Sequence, residues 1–204
     1  MNKACLRKYF IMGSQDCDRD PELVLKEALQ AGITVFQYRE KGKNSLVGEE
    51  MLSLAKGLRE LCRVYNVPFI INDDIFLANI LDVDGIHVGQ EDVPVEEIKE
   101  KYPDKFIGLS ISSEEELKNS PVHLIDYIGA GPIYGTTTKE DAKQAVGTQW
   151  IEKLHELHPE LPIVGIGGIT VENAKDVIEA GATGVAVISA ITKADNIKER
   201  VDKL

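Results

Sequence analysis

Several things are scarce in this chain, and each scarcity removes a class of protein. Of 204 residues only three are cysteines, Cys5, Cys17 and Cys62, widely spaced, odd in number and in no metal-ligand pattern. They offer no disulfide framework, and reduced thiols in a cytoplasm are the simplest reading. No apolar stretch approaches the roughly 20 residues of a membrane span, and residues 1–8 are polar and charged rather than a signal-peptide core. A soluble, unprocessed protein that binds no membrane is expected. Positive charge is short as well: 23 Lys and Arg against 34 Asp and Glu leave a net charge of -11. That balance argues against nucleic acid and anionic lipid as partners, since both are held by clustered positive charge. Basic residues gathered at one place then stand out. No spaced Ser-His-Asp or Cys-His set supports a covalent nucleophile, and no low-complexity linker divides residues 1–204, which are expected to form one domain.

What is present is a rhythm. Short, β-branched apolar runs recur at 9–13, 34–41, 69–74, 85–92, 106–110, 124–131, 163–168 and 185–189, most ending in a polar or glycine-rich cluster. Between them lie helical patterns at 21–31, 45–65, 75–81, 95–102, 113–119, 148–157, 170–180 and 195–204. Apolar runs without strict alternation suit parallel strands covered on both faces. Eight of them separated by helices predict an α/β fold, a (β/α)8 TIM barrel, whose active site lies at the C-terminal ends of the strands. Asp20-Pro21, Ser113 to Glu116 and Thr170 to Asn173 read as helix starts, and Gly32 and Gly181 as helix ends with positive φ. One connection breaks the short-loop rule: Gly131 to Gly147 follows the sixth run into the active-site face and is too polar and glycine-broken for helix, which favours a functional lid.

The chemistry is therefore sought in the tails of the runs. The seventh ends in Gly165-Ile-Gly-Gly168 and the eighth in Ile188-Ser189, and in such barrels these two loops often cradle a phosphate with backbone N–H groups. A Rossmann reading is weaker, because its fingerprint belongs after the first strand, where only Gly13 stands. Arg39 and Lys41 after the second run and Lys139 in the long loop, with hydroxyls from Ser110 and Thr136, Thr137 and Thr138, suggest a second anion site. Three cations at one barrel mouth fit a diphosphate better than a monophosphate. Asp73 and Asp92, after the third and fourth runs, could supply the few hard oxygen ligands of a Mg2+ site completed by substrate phosphates. Capping of the following helices is the other reading for Asp73, Asp74 and Asp92, and Asp74 and Glu91 are expected to point elsewhere or act through water. His87 could line the barrel or be a hydrogen-bonded core residue. His155 and His158 share a helix face as surface residues. Trp150, Tyr127 and Tyr134 read as packing, with Tyr134 the best placed to reach the site.

Over nearly its whole length the chain resembles the thiamine phosphate synthase family. The matching stretches are Gln37-Tyr-Arg-Glu-Lys41, Ile71-Asn-Asp73, Asp84 to Asp92, Gly108-Leu-Ser110, Gly131 to Lys139, Val164 to Ile169 and Val187-Ile-Ser189. Together, in this order and spacing, they are highly specific. The resemblance implies an enzyme that joins 4-amino-5-hydroxymethyl-2-methylpyrimidine diphosphate to a thiazole phosphate, releasing diphosphate and forming thiamine phosphate. It places Gln37, Tyr38, Arg39, Glu40, Lys41, Asn72, Ser110 and Lys139 around the pyrimidine diphosphate, with Arg39, Lys41, Ser110 and Lys139 as the catalytic set, and Mg2+ on Asp73 and Asp92. Thr136, Thr137, Thr138, Gly168, Ile188 and Ser189 would hold the thiazole phosphate. It also implies small phosphorylated substrates as the only partners and a monomer or homodimer. Two positions depart from the family pattern: Gly135 where many relatives have proline, and Ser112 where a histidine is frequent. In the related thiazole tautomerase that histidine serves acid-base chemistry, so Ser112 argues against tautomerase activity. A non-catalytic sensor of a phosphorylated metabolite would need only the Gly168 and Ser189 site.

Overall fold

The computed structural model describes residues 3–136 and 143–204. Among them eight parallel strands close into a barrel in sequence order: β1 (Lys8–Met12), β2 (Val35–Tyr38), β3 (Phe69–Asn72), β4 (Gly85–Val88), β5 (Phe106–Ile111), β6 (Tyr127–Ala130), β7 (Ile163–Ile166) and β8 (Gly184–Val187). The helices are α1 (Pro21–Ala31), α2 (Gly48–Tyr65), α3 (Ile75–Leu81), α4 (Val95–Lys101), α5 (Glu114–Asn119), α6 (Thr148–Leu157), α7 (Ala174–Glu179), α8 (Ser189–Thr192) and α9 (Ile197–Asp202). The expected (β/α)8 barrel is thus the observed fold. No helix among the described residues is long and apolar enough to cross a membrane.

Strand parity sorts the side chains into two cores. In β2, Gln37 sits opposite Ile11 and Ile70, while Tyr38 sits opposite Met12 and Ile71. Ile11 and Ile70 belong to the barrel interior with Tyr9, Val35, Tyr127, Val164 and Ala186. Met12, Tyr38 and Ile71 belong to the larger layer between strands and helices. In that outer layer Phe36 meets Phe10 and Phe69 at centroid distances of 5.6 and 5.7 Å, and truncating such a buried ring costs about 3–5 kcal/mol.

Local chemistry explains where helix starts depart from the periodicity. Asp20 and Ser113 cap α1 and α5 as expected, accepting from Glu22 N at 2.8 Å and Glu116 N at 3.2 Å. The second helix begins at Gly48 rather than 45, because Ser45 turns back onto Gly42 O and the Glu40 carboxylate takes the Leu46 N–H at 2.7 Å. Likewise α7 begins at Ala174 rather than 170: Asn173 Oδ1 holds Thr170 N at 2.8 Å, and Asn173 Nδ2 donates to Gly168 O at 3.1 Å. Those four residues make a turn that fixes the loop after β7. The last helix begins at Ile197, with Asn196 accepting from Glu199 N at 3.1 Å. The four-residue α8, directly after β8, is unannounced by any periodicity.

Candidate active site

A cavity of about 660 Å³ opens at the C-terminal ends of the strands. On one side, Lys41 Nζ lies 2.7 Å from Asp73 Oδ2 and 4.0 Å from Asp92 Oδ1. The two carboxylates come from adjacent strand ends and stand close enough to share a hydrogen bond. Burial, together with the neighbouring Asp92, pushes the Asp73 carboxyl up against the pull of the Lys41 ammonium. Burial also opposes ionisation of Asp92, but its contact with Asp73, the Gly89 N–H and Lys41 outweigh burial and hold it low. Hydrogen bonding to Asp73 raises Lys41 despite partial burial, so it stays charged.

The structure separates the two readings of the acids. Asp74 caps α3, accepting from Leu77 N at 2.9 Å. Asp92 instead accepts from Gly89 N at 2.7 Å, tightening the turn after β4, and Asp73 caps nothing. Asp73 sits at φ 60, with Asp74 N closing onto Asn72 O at 2.7 Å. A left-handed conformation at a non-glycine residue costs roughly 1 kcal/mol or more, and here the turn carries a carboxylate that faces Lys41. Glu91, expected to point elsewhere or act through water, lines the cavity.

Arg39 is buried but lines the cavity, and among the described residues no salt bridge neutralises its guanidinium. Asn72 and Ser110 line the same wall. Gln37 lies in the barrel interior, and its Nε2 has no hydrogen-bond partner among the described residues. Gln37 stays out of the cavity lining, and two further positions of the expected set turn away. The Tyr38 ring packs in the outer layer with its hydroxyl 3.3 Å from Met51 O. Glu40 accepts from Ser14 N at 2.9 Å and from Leu46 N, so its carboxylate organises the loop after β2 rather than facing the cavity. Parity accounts for both: in the sequence 37–41 every second side chain points inward. Tyr134 also stays out of the lining, which agrees with packing alone.

The opposite wall is mostly backbone. Gly167 and Gly168 take φ of 94° and 61°, and the loop after β6 lies directly on them through Ile133 N to Ile166 O at 2.8 Å and Tyr134 N to Gly167 O at 3.0 Å. A Cβ at Gly168 would stand 2.5 Å from Gly135 O and 2.8 Å from Tyr134 Cβ. Thr136, Gly168, Ile188 and Ser189 all line this side. Thr137, Thr138 and Lys139 lie outside the described residues. At Gly135 a Cβ would meet nothing within 4 Å, so glycine is not sterically required there.

Two contacts at the rim carry no signal in composition or periodicity. Lys143 pairs with Glu116 at the rim, and Glu116 Oε2 accepts from Ser112 N at 2.6 Å. His87 reaches Ser110 from inside the barrel and is joined there by Tyr127. His87 thus both lines the cavity and is hydrogen-bonded, and the glycines at 108 and 129 make room for the two rings.

Comparison with known proteins places the whole chain, this cavity included, in one family. The family profile described as Thiamine monophosphate synthase matches residues 8–191. The chain belongs to that family. It is 59% identical over 203 residues to the thiamine-phosphate synthase of Oceanobacillus iheyensis, covering 100% of this chain and 98% of the relative. With the thiamine-phosphate synthase of Anoxybacillus flavithermus it shares 51% over 204 residues, covering 100% and 94%. The solved thiamine phosphate pyrophosphorylase of Pyrococcus furiosus superposes with a TM-score of 0.87 at 34% identity, covering 99% of this chain and 95% of that one. Family membership makes this an enzyme of thiamine biosynthesis, a transferase.

Proposed function

We propose that the cavity joins 4-amino-5-hydroxymethyl-2-methylpyrimidine diphosphate to a thiazole phosphate, forming thiamine phosphate and diphosphate. The observation that carries this reading is the division of the walls. One gathers Arg39, Lys41, Asp73 and Asp92; the other offers backbone at Gly168 and Ser189. A diphosphate needs several positive charges, and a monophosphate can be held by N–H groups at glycine turns. Asp73 and Asp92 fit Mg2+, because two facing hard carboxylates crowd each other in the free protein and leave most of an octahedron to a phosphate ligand. The ion would then neutralise diphosphate charge.

The chain's own residues have positioning work to do. Arg39 and Lys41 stabilise charge as the C–O bond to diphosphate breaks and the electron pair leaves with the diphosphate. By resemblance Gln37 belongs to the pyrimidine set, and the amino group of that ring feeds electrons to the methylene. The thiazole nitrogen, held by its phosphate against the glycine wall, then forms the C–N bond. Lys139 and the threonines at 136–138 belong to the same scheme by resemblance. The three free cysteines suit a reducing cytoplasm. Incubating both substrates with Mg2+ tests the reading: thiamine phosphate and diphosphate should appear in equal amounts, and their absence would refute it. Single-turnover rates with ring-fluorinated pyrimidine diphosphates test bond order. A severe slowing is expected if cleavage leads, and an unchanged rate at matched binding would mean direct displacement.

A further inference from the structure

The barrel floor holds a connected set of polar side chains that the scheme above leaves unused. Tyr127 OH lies 2.9 Å from His87 Nδ1, and His87 Nε2 lies 2.9 Å from Ser110 Oγ. Behind them Tyr9 OH lies 2.7 Å from Tyr127 OH. Tyr9 and Tyr127 are only 2% and 1% exposed, so water cannot replace these partners. The fold is cut to fit the rings: a Cβ at Gly108 would stand 2.1 Å from Tyr127 Cζ, and one at Gly129 2.9 Å from His87 Cε1. Phe106 stacks on Tyr127 at 5.5 Å and 17°, fixing the phenol's plane. Gln90 Nε2 pins the Ser110 carbonyl at 2.7 Å, so the serine backbone is held as well. Ser110 and His87 reach the cavity; Tyr127 and Tyr9 are not among its lining residues.

Such a chain has a direction. Burial pushes both phenols above their ordinary range, so each keeps its proton. A neutral imidazole has one donor and one acceptor nitrogen. If Tyr127 donates to Nδ1, then Nε2–H donates to Ser110 Oγ, and the serine proton is left to point into the cavity. In the reverse arrangement Ser110 spends its proton on Nε2 and shows the cavity only lone pairs. A departing diphosphate is an anion, and it favours the first arrangement.

Resting on the proposed reaction, we infer that Tyr127, acting through His87, sets Ser110 Oγ as a hydrogen-bond donor toward the leaving diphosphate. Tyr127 is a positioning residue, outside the cavity yet coupled to it. Tyr9 stands behind the relay: without its hydroxyl, Tyr127 can still donate to His87.

A double-mutant cycle on single-turnover rates tests this. Tyr127→Phe keeps the ring and its packing and should slow the chemical step by about tenfold, the worth of one hydrogen bond, with the Michaelis constants of both substrates nearly unchanged. In a Ser110→Ala background the same change should add nothing. Tyr9→Phe, which loses the same 2.7 Å contact, should keep the wild-type rate. Additive losses, an unaffected Tyr127→Phe, or an equal loss in Tyr9→Phe would overturn the relay. Wild-type speed in Ser110→Ala would instead overturn the placement of Ser110 against substrate, and the relay with it, whereas failure of the wild-type protein to make thiamine phosphate would refute the reaction itself. If Tyr127→Phe does not fold by circular dichroism, 15N NMR of His87 in the wild-type protein decides. Protonation at Nε2 alone supports the relay, and a proton on Nδ1, with or without one on Nε2, overturns it.

Discussion

On the β2 to β4 side of the cavity, Lys41, Asp73 and Asp92 meet through side chains that end 2.7 and 4.0 Å apart. On the β6 to β8 side, Gly167 and Gly168 turn the chain at positive φ and press it against the loop after β6. The first wall keeps its charges in tension: burial raises Asp73 against the pull of Lys41, and Asp92 crowds it. The second is built from glycine backbone and, among the described residues, is closed by its own hydrogen bonds. On the proposed reading the site treats two anionic groups differently, using side-chain charge for the one that must leave and fixed backbone for the one that must stay. The walls should also fail differently when mutated, since one depends on side-chain identity and the other on the absence of side chains.

The largest effect should come from the charged wall. Asp73→Ala or Asp92→Ala should lower turnover by on the order of 100-fold or more, as expected when charge stabilisation of a leaving group is lost, and the wild-type rate should collapse in chelator. Full activity of both variants in chelator would break the contrast at its root. Next comes Gly168→Val. With Gly135 O at 2.5 Å from the new Cβ, it should weaken thiazole phosphate binding by about 10- to 100-fold, the range for hydrogen bonds to a charged group. Isothermal calorimetry on that ligand alone would show it. Lys41→Ala should slow the chemical step by about tenfold, while thermal unfolding shifts little, because an ion pair with a half-exposed lysine contributes about 0–1 kcal/mol. A melting shift without a rate change would make Lys41 structural. The smallest effect is expected at Ser189→Ala. Its N–H remains, so kcat/KM should change by no more than about threefold, within the loss of one weak hydrogen bond. A larger loss would show that the second wall also works through side chains.

Much of this was legible in residues alone, and the exceptions have physical causes. Eight apolar runs became eight strands because parallel strands buried on both faces need such runs. Their polar tails became the cavity because the barrel places every strand end on one rim. Helix starts shifted where side chains captured backbone groups first, as Glu40 does at Leu46 and Asn173 at Thr170. Whether Asp73, Asp74 or Asp92 capped a helix depended on a backbone turn at φ 60 that no pattern announces. Tyr38 and Glu40 were legible by parity, since Gln37, Arg39 and Lys41 take the inward phase and leave the others outside. Tyr127 looked like packing because its ring does pack; only its hydroxyl, 2.9 Å from His87, has further work.

The division of the two walls is tested most directly by titrating each ligand separately into Asp92→Ala and Gly168→Val by calorimetry. The account expects a crossed pattern. Asp92→Ala should lose affinity for the pyrimidine diphosphate in the presence of Mg2+ while keeping that for the thiazole phosphate, and Gly168→Val should do the reverse. Equal loss of both ligands in either folded variant would contradict it, and would mean that the diphosphate and the phosphate share one wall.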